Sequence, residues 1–573
     1  MELNDLITRL ALENALKFKG TANPKALIGG VIREFPDAKK DMKTVQQLIS
    51  EITSEINLLS LDDQKQRLLE LDPDFESKKQ EQKLARKEKA NELPEISGAV
   101  FGKFVTRMPP EPSKYNHIGH AMSFLINYLY AKKYGGRVIL RLDDTNPEKE
   151  SLEFAEAMEE DVINYLGLVP DEIIYASDHM DKYYSYADKL ISEGRAYACS
   201  CKKEDISAGR RSMVDCPHRN QSVEETRKLF EEMKNGLPEA GSITLRLKID
   251  MKHKNAVMRD PVIYRLSYNS HYRQGEKFKV WPMYDFECAI EEGLCGVTHV
   301  FRSNEFDSRI ELQNYIAGLF GFPEVVYKHY GRYNVVGATT QGREIKALID
   351  TGNYIGWDDP RLVTLRALKR RGIVKESYVA LAKKIGFSKQ QTNLDYSVIA
   401  AINRSILDVS AKRFFAVRNH VKISVDGIPD SLTEFSLSFH PDAKKGDRKL
   451  SVSKEYYVES EDNSSTHVGS VIRLMDAMNI KKVSENSYVF VSESYEDFVK
   501  IKSDSKIIHF VPVDGSEMNA EMLMPDTSIV PLICESNVGL LKPDSVIQFE
   551  RYCFARFDHI KSDGVIQFWY THD

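Results

Sequence analysis

Cysteine is scarce in this sequence, 7 residues in 573, and three of the seven crowd between Cys199 and Cys216. Such usage excludes a disulfide framework, which small secreted domains build from many paired cysteines. No apolar run approaches the roughly 18 residues that cross a bilayer. The opening "MELNDLITRLALENALKFKG" carries acids where a secretory leader has a basic and then an apolar segment. A cytoplasmic protein with no membrane partner is the expectation. An excess of one charge is also missing: 79 Lys and Arg against 85 Asp and Glu leave a net charge of −6. No global basic field announces nucleic acid, so such a partner must be held by local patches. The sequence shows no internal repeat and no low-complexity tract, which excludes a solenoid. What is there, 42% hydrophobic and 29% charged residues, suffices for several cores. A length prior of about 100–200 residues per domain gives three to five.

Residues 1 to about 75 carry Leu and Ile at helical spacing. "ESKKQEQKLARKEKANELPE", Glu76 to Glu95, lacks a wide apolar face and reads as a solvated helix or linker, hence a boundary. From Ala99 the texture changes. "AVFGKFVTRM" predicts a buried strand, "GHAMSFLINYLYAKKYGG" a helix ended by glycine, and "RVILRLDD" a second strand. "TNPEKESLEFAEAMEEDVINYLG" predicts a second helix with Asn146 as its cap and Pro147 in its first turn. Strand, helix, strand, helix implies a parallel sheet with right-handed crossovers, an α/β doubly wound, Rossmann-type domain. From about Phe414, short β-rich runs such as "HVKISV", "SYVFV" and "IIHFVPV" alternate with polar turns and predict barrels.

The segment "MPPEPSKYNHIGH", Met108 to His120, falls at the carboxyl end of the first strand, where a parallel sheet holds its ligands. The helix that follows offers free N–H groups and partial positive charge to a phosphate. His117 and His120 share one side of the first helical turn. Gly119 between them removes a side chain where a nucleotide can lie against backbone. Taken alone, the pair would be a capping or surface pair. In this strand–turn–helix setting the expectation is hydrogen bonding to phosphate oxygens as charge develops on them.

Here the residues carry a resemblance. "HIGH", preceded by "RMPPEPS" and followed by "LRLDDTNP", resembles the signature of class I aminoacyl-tRNA synthetases of the glutamyl/glutaminyl branch. The resemblance continues through "RDPVIYR", "WPMYDFECAIEEGLCGVTHVFRSNEF", "GWDDPRLVTLRALKRRG" and "VIQFERYCFARFD", and so covers Pro94 to Asp573. The amino-terminal segment also resembles that of archaeal-type glutamyl-tRNA synthetases. The resemblance implies residues 1–95 as a helical extension and charged linker, and 96–350 as a Rossmann-type catalytic domain with an acceptor-binding insertion at about 175–280. It implies 351–412 as a helical stem-contact region and 413–573 as an anticodon-binding domain of antiparallel β-barrels. The implied activity is ATP-dependent ligation of glutamate to tRNA(Glu), with Mg²⁺ and a monomeric enzyme. Charging of tRNA(Gln) is left open. Glutaminyl-tRNA synthetase, a small nucleotidylyltransferase and a catalytically impaired tRNA-binding relative are the alternatives; the nucleotidylyltransferases lack the barrels.

Glutamate and glutamine are nearly isosteric, so only charge separates them. A fixed guanidinium pairs with a carboxylate and is left buried and unpaired opposite an amide. Arg107 matches the position where the family contacts the substrate carboxylate, and Arg302 the arginine of glutamate enzymes; an ion pair with Glu305 or Asp307 is the structural alternative for Arg302. Asp143 matches the acid that holds the α-ammonium, Tyr284 the tyrosine of the amino-acid pocket, and Glu111 a weaker substrate contact. One departure stands out. The family's second ATP motif supplies a mobile lysine, and here, in "VVGATTQGREIKALI", Gln341 and Gly342 occupy the places of serine and lysine. Arg343 or Lys346 is expected to supply the charge, and Glu344 is an oddity beside them.

"CSCKKEDISAGRRSMVDCPH" sets Cys199, Cys201, Cys216 and His218 as a C-x-C…C-x-H group that suits a tetrahedral structural Zn²⁺. "RLVTLRALKRRG" concentrates Arg361, Arg366, Lys369, Arg370 and Arg371; a basic helix alone is usually just exposed, and it is the resemblance that implies phosphate contacts to tRNA here.

Overall fold

The computed structural model describes residues 3–75, 93–386, 389–441, 445–501 and 506–573. The chain divides into two units, Met1–Glu92 and Leu93–Asp573. Most of the expected charged linker lies outside the described residues.

In the first unit four α-helices, Leu3–Lys17, Pro24–Glu34, Met42–Asn57 and Leu61–Leu71, form a small bundle. Asn23, Asp41 and Ser60 cap three of them through side-chain oxygens, each cap contributing about 1 kcal/mol. Their apolar stripes meet in a core of Ile7, Leu12, Val31, Ile49, Ile56 and Leu68.

The second unit opens on the expected parallel sheet. Val105–Met108 pairs in parallel with Arg137–Leu142, which pairs in parallel with Glu172–Tyr175. A second parallel pair, His299–Ser303 with Val326–Tyr330, continues the layer on the other side of the first strand. There the Thr298 N–H donates to Val105 O at 2.9 Å and the Val105 N–H donates to Thr298 Oγ1 at 2.9 Å. Order thus reverses beside Val105–Met108, the place where such sheets open a ligand crevice. Helix Ile118–Lys133 packs Met122, Leu125, Ile126 and Tyr130 onto Leu140, Leu142 and Phe301. It ends at Tyr134, and Gly135 follows at a positive φ of 58°.

The second helix begins later than its pattern predicts. Ser151, not Asn146, is the cap of Leu152–Glu159, accepting from the Phe154 N–H at 3.3 Å. Asn146 is drawn into a tertiary contact, its Oδ1 accepting from Arg265 at 2.7 Å, so Thr145–Ser151 stays irregular.

Between the two parallel pairs lies an antiparallel sheet of Ala196–Cys199, Thr244–Leu247, Val262–Leu266 and Val280–Pro282 over a core with Tyr183, Phe230 and Trp281. Helices Leu365–Arg370, Lys375–Ile385 and Tyr396–Ser410 follow. Two seven-stranded barrel-like sheets close the chain. They are mainly antiparallel, with parallel pairs such as His420–Asp426 beside Ser487–Ser492.

Candidate active site

The carboxyl ends of Val105–Met108 and Arg137–Leu142 open into a cavity of about 730 Å³. Arg107, Glu111, His117, Gly119, His120, Asp143, Tyr284 and Arg302 all line it, although up to 195 residues separate them in sequence.

The two histidines cap the helix reciprocally. His117 Nδ1 accepts from the Gly119 N–H at 3.0 Å, and His120 Nδ1 accepts from the His117 N–H at 3.1 Å. A ring nitrogen that accepts carries no proton, so each neutral ring bears its hydrogen on Nε2. Burial, then the charges of Lys114 and Arg332, bring the His117 pKa down to about 3. Burial, His117 and Lys114 hold His120 low as well. At neutral pH the site therefore offers two Nε2–H donors on rings tilted 40° to each other, their centroids 3.9 Å apart. Gly119 makes this packing feasible: a Cβ there would lie 2.9 Å from His117 Cε1 and 3.1 Å from its Nδ1.

Two guanidinium groups enter the cavity with a donor unsatisfied. Arg107, 1% exposed, donates from Nε to Glu292 Oε1 at 2.6 Å, and its Nη1 has no hydrogen-bond partner among the described residues. Arg302 donates from Nε to His329 at 3.2 Å and from Nη1 to Gln313 at 2.8 Å, while its Nη2 is unpaired. Its guanidinium carbon lies 5.3 Å from the centre of the Phe306 ring and 4.9 Å from that of Tyr327. Among the described residues Arg302 forms no ion pair with Glu305 or Asp307, the alternative its neighbours suggested; Asp307 pairs with His329 instead. A buried N–H left unpaired costs about 1–3 kcal/mol, and a carboxylate is the ligand that removes this penalty from a guanidinium.

Carboxylates gather at the same cavity. Asp143 accepts from Arg141 Nε at 2.6 Å, and burial still pushes its carboxyl above the ordinary range. Glu287 accepts from Thr145 through Oε2, its Oε1 has no partner, and burial followed by Asp143 raises its pKa strongly. An ammonium group entering here would meet both. Glu287 was missed in the sequence; it lies three residues beyond Tyr284 on the same helix, a spacing that could have flagged it. The Tyr284 ring lies 5.5 Å from that of Phe306, tilted 42°, and stays a neutral phenol, its pKa raised by burial.

The second ATP motif differs from expectation. Its helix, Gly342–Asp350, presents Arg343 and Lys346 to solvent, and neither lines the cavity. Thr340 and Gln341 do, as do Lys114 and Arg332. Glu344 is occupied by the Thr339 hydroxyl at 2.7 Å, which accounts for an acid in this loop.

Cys199, Cys201, Cys216 and His218 converge, their ligand atoms all within 4.8 Å of one another. The Cys199–Cys216 sulfurs are 3.4 Å apart and Cys201–Cys216 3.7 Å, with His218 Nδ1 3.5 Å from both Cys201 and Cys216. A tetrahedral zinc with Zn–S near 2.3 Å sets sulfurs about 3.8 Å apart, so the donor set fits. Ser200 lies 3.0 Å from the other ring nitrogen of His218, an outer contact of the kind that orients a ligating imidazole.

The basic stretch is largely engaged within the chain. Only Arg366, Lys369 and Arg370 lie in helix Leu365–Arg370. Arg361 pairs with Asp359, Arg366 donates to the Tyr115 hydroxyl, and Lys369 pairs with Glu160. Arg370 bridges Asp358 and Asp558, and Arg371 is buried against Tyr396. Arg371 is thus a packing residue here, because its guanidinium stacks 3.9 Å from the Tyr396 ring centre and donates to Pro360 O.

Residues 103–409 match the catalytic domain, and 411–492 the anticodon-binding domain, of the tRNA synthetases class I (E and Q). The chain is 37% identical over 585 aligned positions to the glutamate–tRNA ligase of Pyrococcus abyssi, covering 100% of both sequences. The Pyrococcus furiosus enzyme of the same name is 36% identical, with 100% of both covered, and that of Thermococcus kodakarensis 36%, with 99% of both covered. A paired-histidine turn on a parallel sheet, full-length relatives of one kind and both domain matches define a class I aminoacyl-tRNA synthetase. The chain belongs to the glutamate and glutamine branch of that family.

Proposed function

We propose that the chain is a glutamate–tRNA ligase, which joins L-glutamate to ATP as glutamyl-adenylate and passes the glutamyl group to the 3′ end of tRNA(Glu). The observation that carries the choice of amino acid is the pair of buried guanidinium groups, Arg107 and Arg302, each with a donor that nothing among the described residues satisfies. Glutamate's side-chain carboxylate completes them; glutamine's amide brings an N–H toward a cation that has only donors to offer.

A glutamate α-carboxylate oxygen attacks the α-phosphorus of ATP, the bond to the bridging oxygen breaks, and pyrophosphate leaves with the electron pair. His117 and His120, neutral and donating from Nε2, stabilise the phosphate oxygens as their charge grows. Asp143 takes the α-ammonium, with Glu287 beside it, and Tyr284 packs the amino acid. Mg²⁺, when bound, shares the polyphosphate charge. A hydroxyl of the terminal tRNA adenosine then attacks the glutamyl carbonyl and AMP departs. Cys199, Cys201, Cys216 and His218 would hold a structural zinc, which would pin the inserted sheet. Arg361, Arg366, Lys369 and Arg370 contact tRNA only by exchanging an internal partner for phosphate.

The test is to incubate the protein with ATP, Mg²⁺, unfractionated tRNA from the source organism and labelled glutamate or glutamine, and to count label precipitated with the tRNA. Glutamate incorporation supports the reading. Glutamine incorporation alone refutes it.

A further inference from the structure

Lys114 sits on the proline-rich turn three residues before His117 and lines the same cavity, half-buried. It also borders a narrow cleft with Thr339, Thr340, Gly342 and Trp357, so it faces the loop of the second ATP motif directly. A Cβ placed on Gly342 would stand 3.2 Å from Lys114 Cβ and 3.5 Å from its Cδ. The Lys114 stem therefore fills the space that a side chain at position 342 would need. Among the described residues the Lys114 ammonium makes no hydrogen bond and no ion pair. Its charge acts on both histidines: after burial it is the first influence that depresses His117, and it bears on His120 as well. Arg332 is the other cation acting on His117, but its side chain is 68% exposed and lies 3.9 Å from Glu305. A cation with no hydrogen bond or ion pair, near the Glu111 carboxylate and held at a cavity wall beside two phosphate-directed donors, is suited to an anionic ligand.

We propose that Lys114 is the cation that meets the ATP polyphosphate, supplying from the histidine turn the charge that position 342 no longer carries. This inference rests on the ligase reading. As the bond between the α-phosphorus and the bridging oxygen breaks, negative charge moves onto the leaving pyrophosphate, and Lys114 stabilises it there. No proton changes hands; the ammonium stays charged throughout. Gly342 is then part of the same arrangement, because a side chain there would press on the Lys114 stem.

The experiment is ATP–pyrophosphate exchange by the full chain with glutamate, Mg²⁺ and tRNA, comparing wild type with Lys114→Met and Lys114→Arg. Loss of one charge-stabilising donor lowers the rate on the order of 100-fold. Lys114→Met is expected to lose kcat by about that factor with the KM for glutamate unchanged and the melting temperature unaltered, and Lys114→Arg to retain most of the rate. A Lys114→Met enzyme with wild-type kcat would overturn the inference, as would a loss that Lys114→Arg fails to rescue. A wild-type protein without exchange would overturn the ligase reading and this inference with it, whereas active wild type with an insensitive Lys114 overturns the inference alone.

Discussion

Arg302→Gln tests the amino-acid pocket most sharply. The substitution removes a guanidinium that is 6% exposed, stacks near Phe306 and Tyr327, and donates to His329 and Gln313. It takes away the unpaired Nη2 that the glutamate carboxylate would occupy. Truncating one partner of a buried charge pair costs about 2–5 kcal/mol. At about 1.4 kcal/mol per factor of ten, kcat/KM for glutamate should fall roughly 30- to 3,000-fold. Glutamine loses no ion pair, so its much lower rate should stay within about tenfold of its starting value. The assay is charging of tRNA with each amino acid in parallel, with the KM for ATP as a control on the fold. Glutamate and glutamine rates that fall together, or a glutamate rate that does not fall, would refute a carboxylate-reading role for Arg302.

Gly119→Ala drives a Cβ against the His117 ring, so kcat should fall at least tenfold with little change in melting temperature, checked by exchange kinetics and calorimetry. The Cys199, Cys201, Cys216 and His218 cluster should carry about one zinc per chain by elemental analysis, and Cys216→Ser should lose it; wild-type protein isolated without zinc and fully folded would end that assignment. Burial, then Asp144, raises the Glu150 pKa to about 9 against an ordinary 4.5, so the folded state keeps a proton that the unfolded state releases. Its contribution to stability is therefore greatest below pH 4.5 and declines as pH rises towards 9. Glu150→Gln should gain about 4 kcal/mol relative to wild type between pH 5 and pH 8, measured by denaturant unfolding at both; an unchanged difference would contradict the burial argument.

The site was legible wherever chemistry is concentrated in a short segment. The histidine turn, Asp143 after its strand, Tyr284, Arg302 and the cysteine cluster all reach the positions their motifs suggest. What failed was what depends on tertiary exchange. Asn146 looked like a helix cap because of Pro147, but Arg265, 119 residues away, claims its side chain. Arg343 and Lys346 have the right charge near the right motif, yet the amphipathic helix buries Ile345 and turns both to solvent. Lys114 was overlooked because a lysine in a proline-rich turn reads as a surface residue until the loop around Gly342 is laid across it. The basic helix was assigned to tRNA by its place in the resemblance, since a basic helix by itself is usually just exposed. Its acids, Asp358, Glu160 and Asp558, come from three different segments, and spacing gives no sign of them.

The most direct measurement is a competition. The full-length protein, ATP and Mg²⁺ are mixed with equal concentrations of glutamate and glutamine and with tRNA(Glu) or tRNA(Gln) transcripts, and the aminoacyl groups recovered from the RNA are identified by mass spectrometry. The account predicts glutamyl-tRNA almost exclusively, with tRNA(Glu) charged and the tRNA(Gln) arm reporting whether recognition extends further. Glutaminyl-tRNA as the main product, or RNA that binds and is never charged, would contradict it.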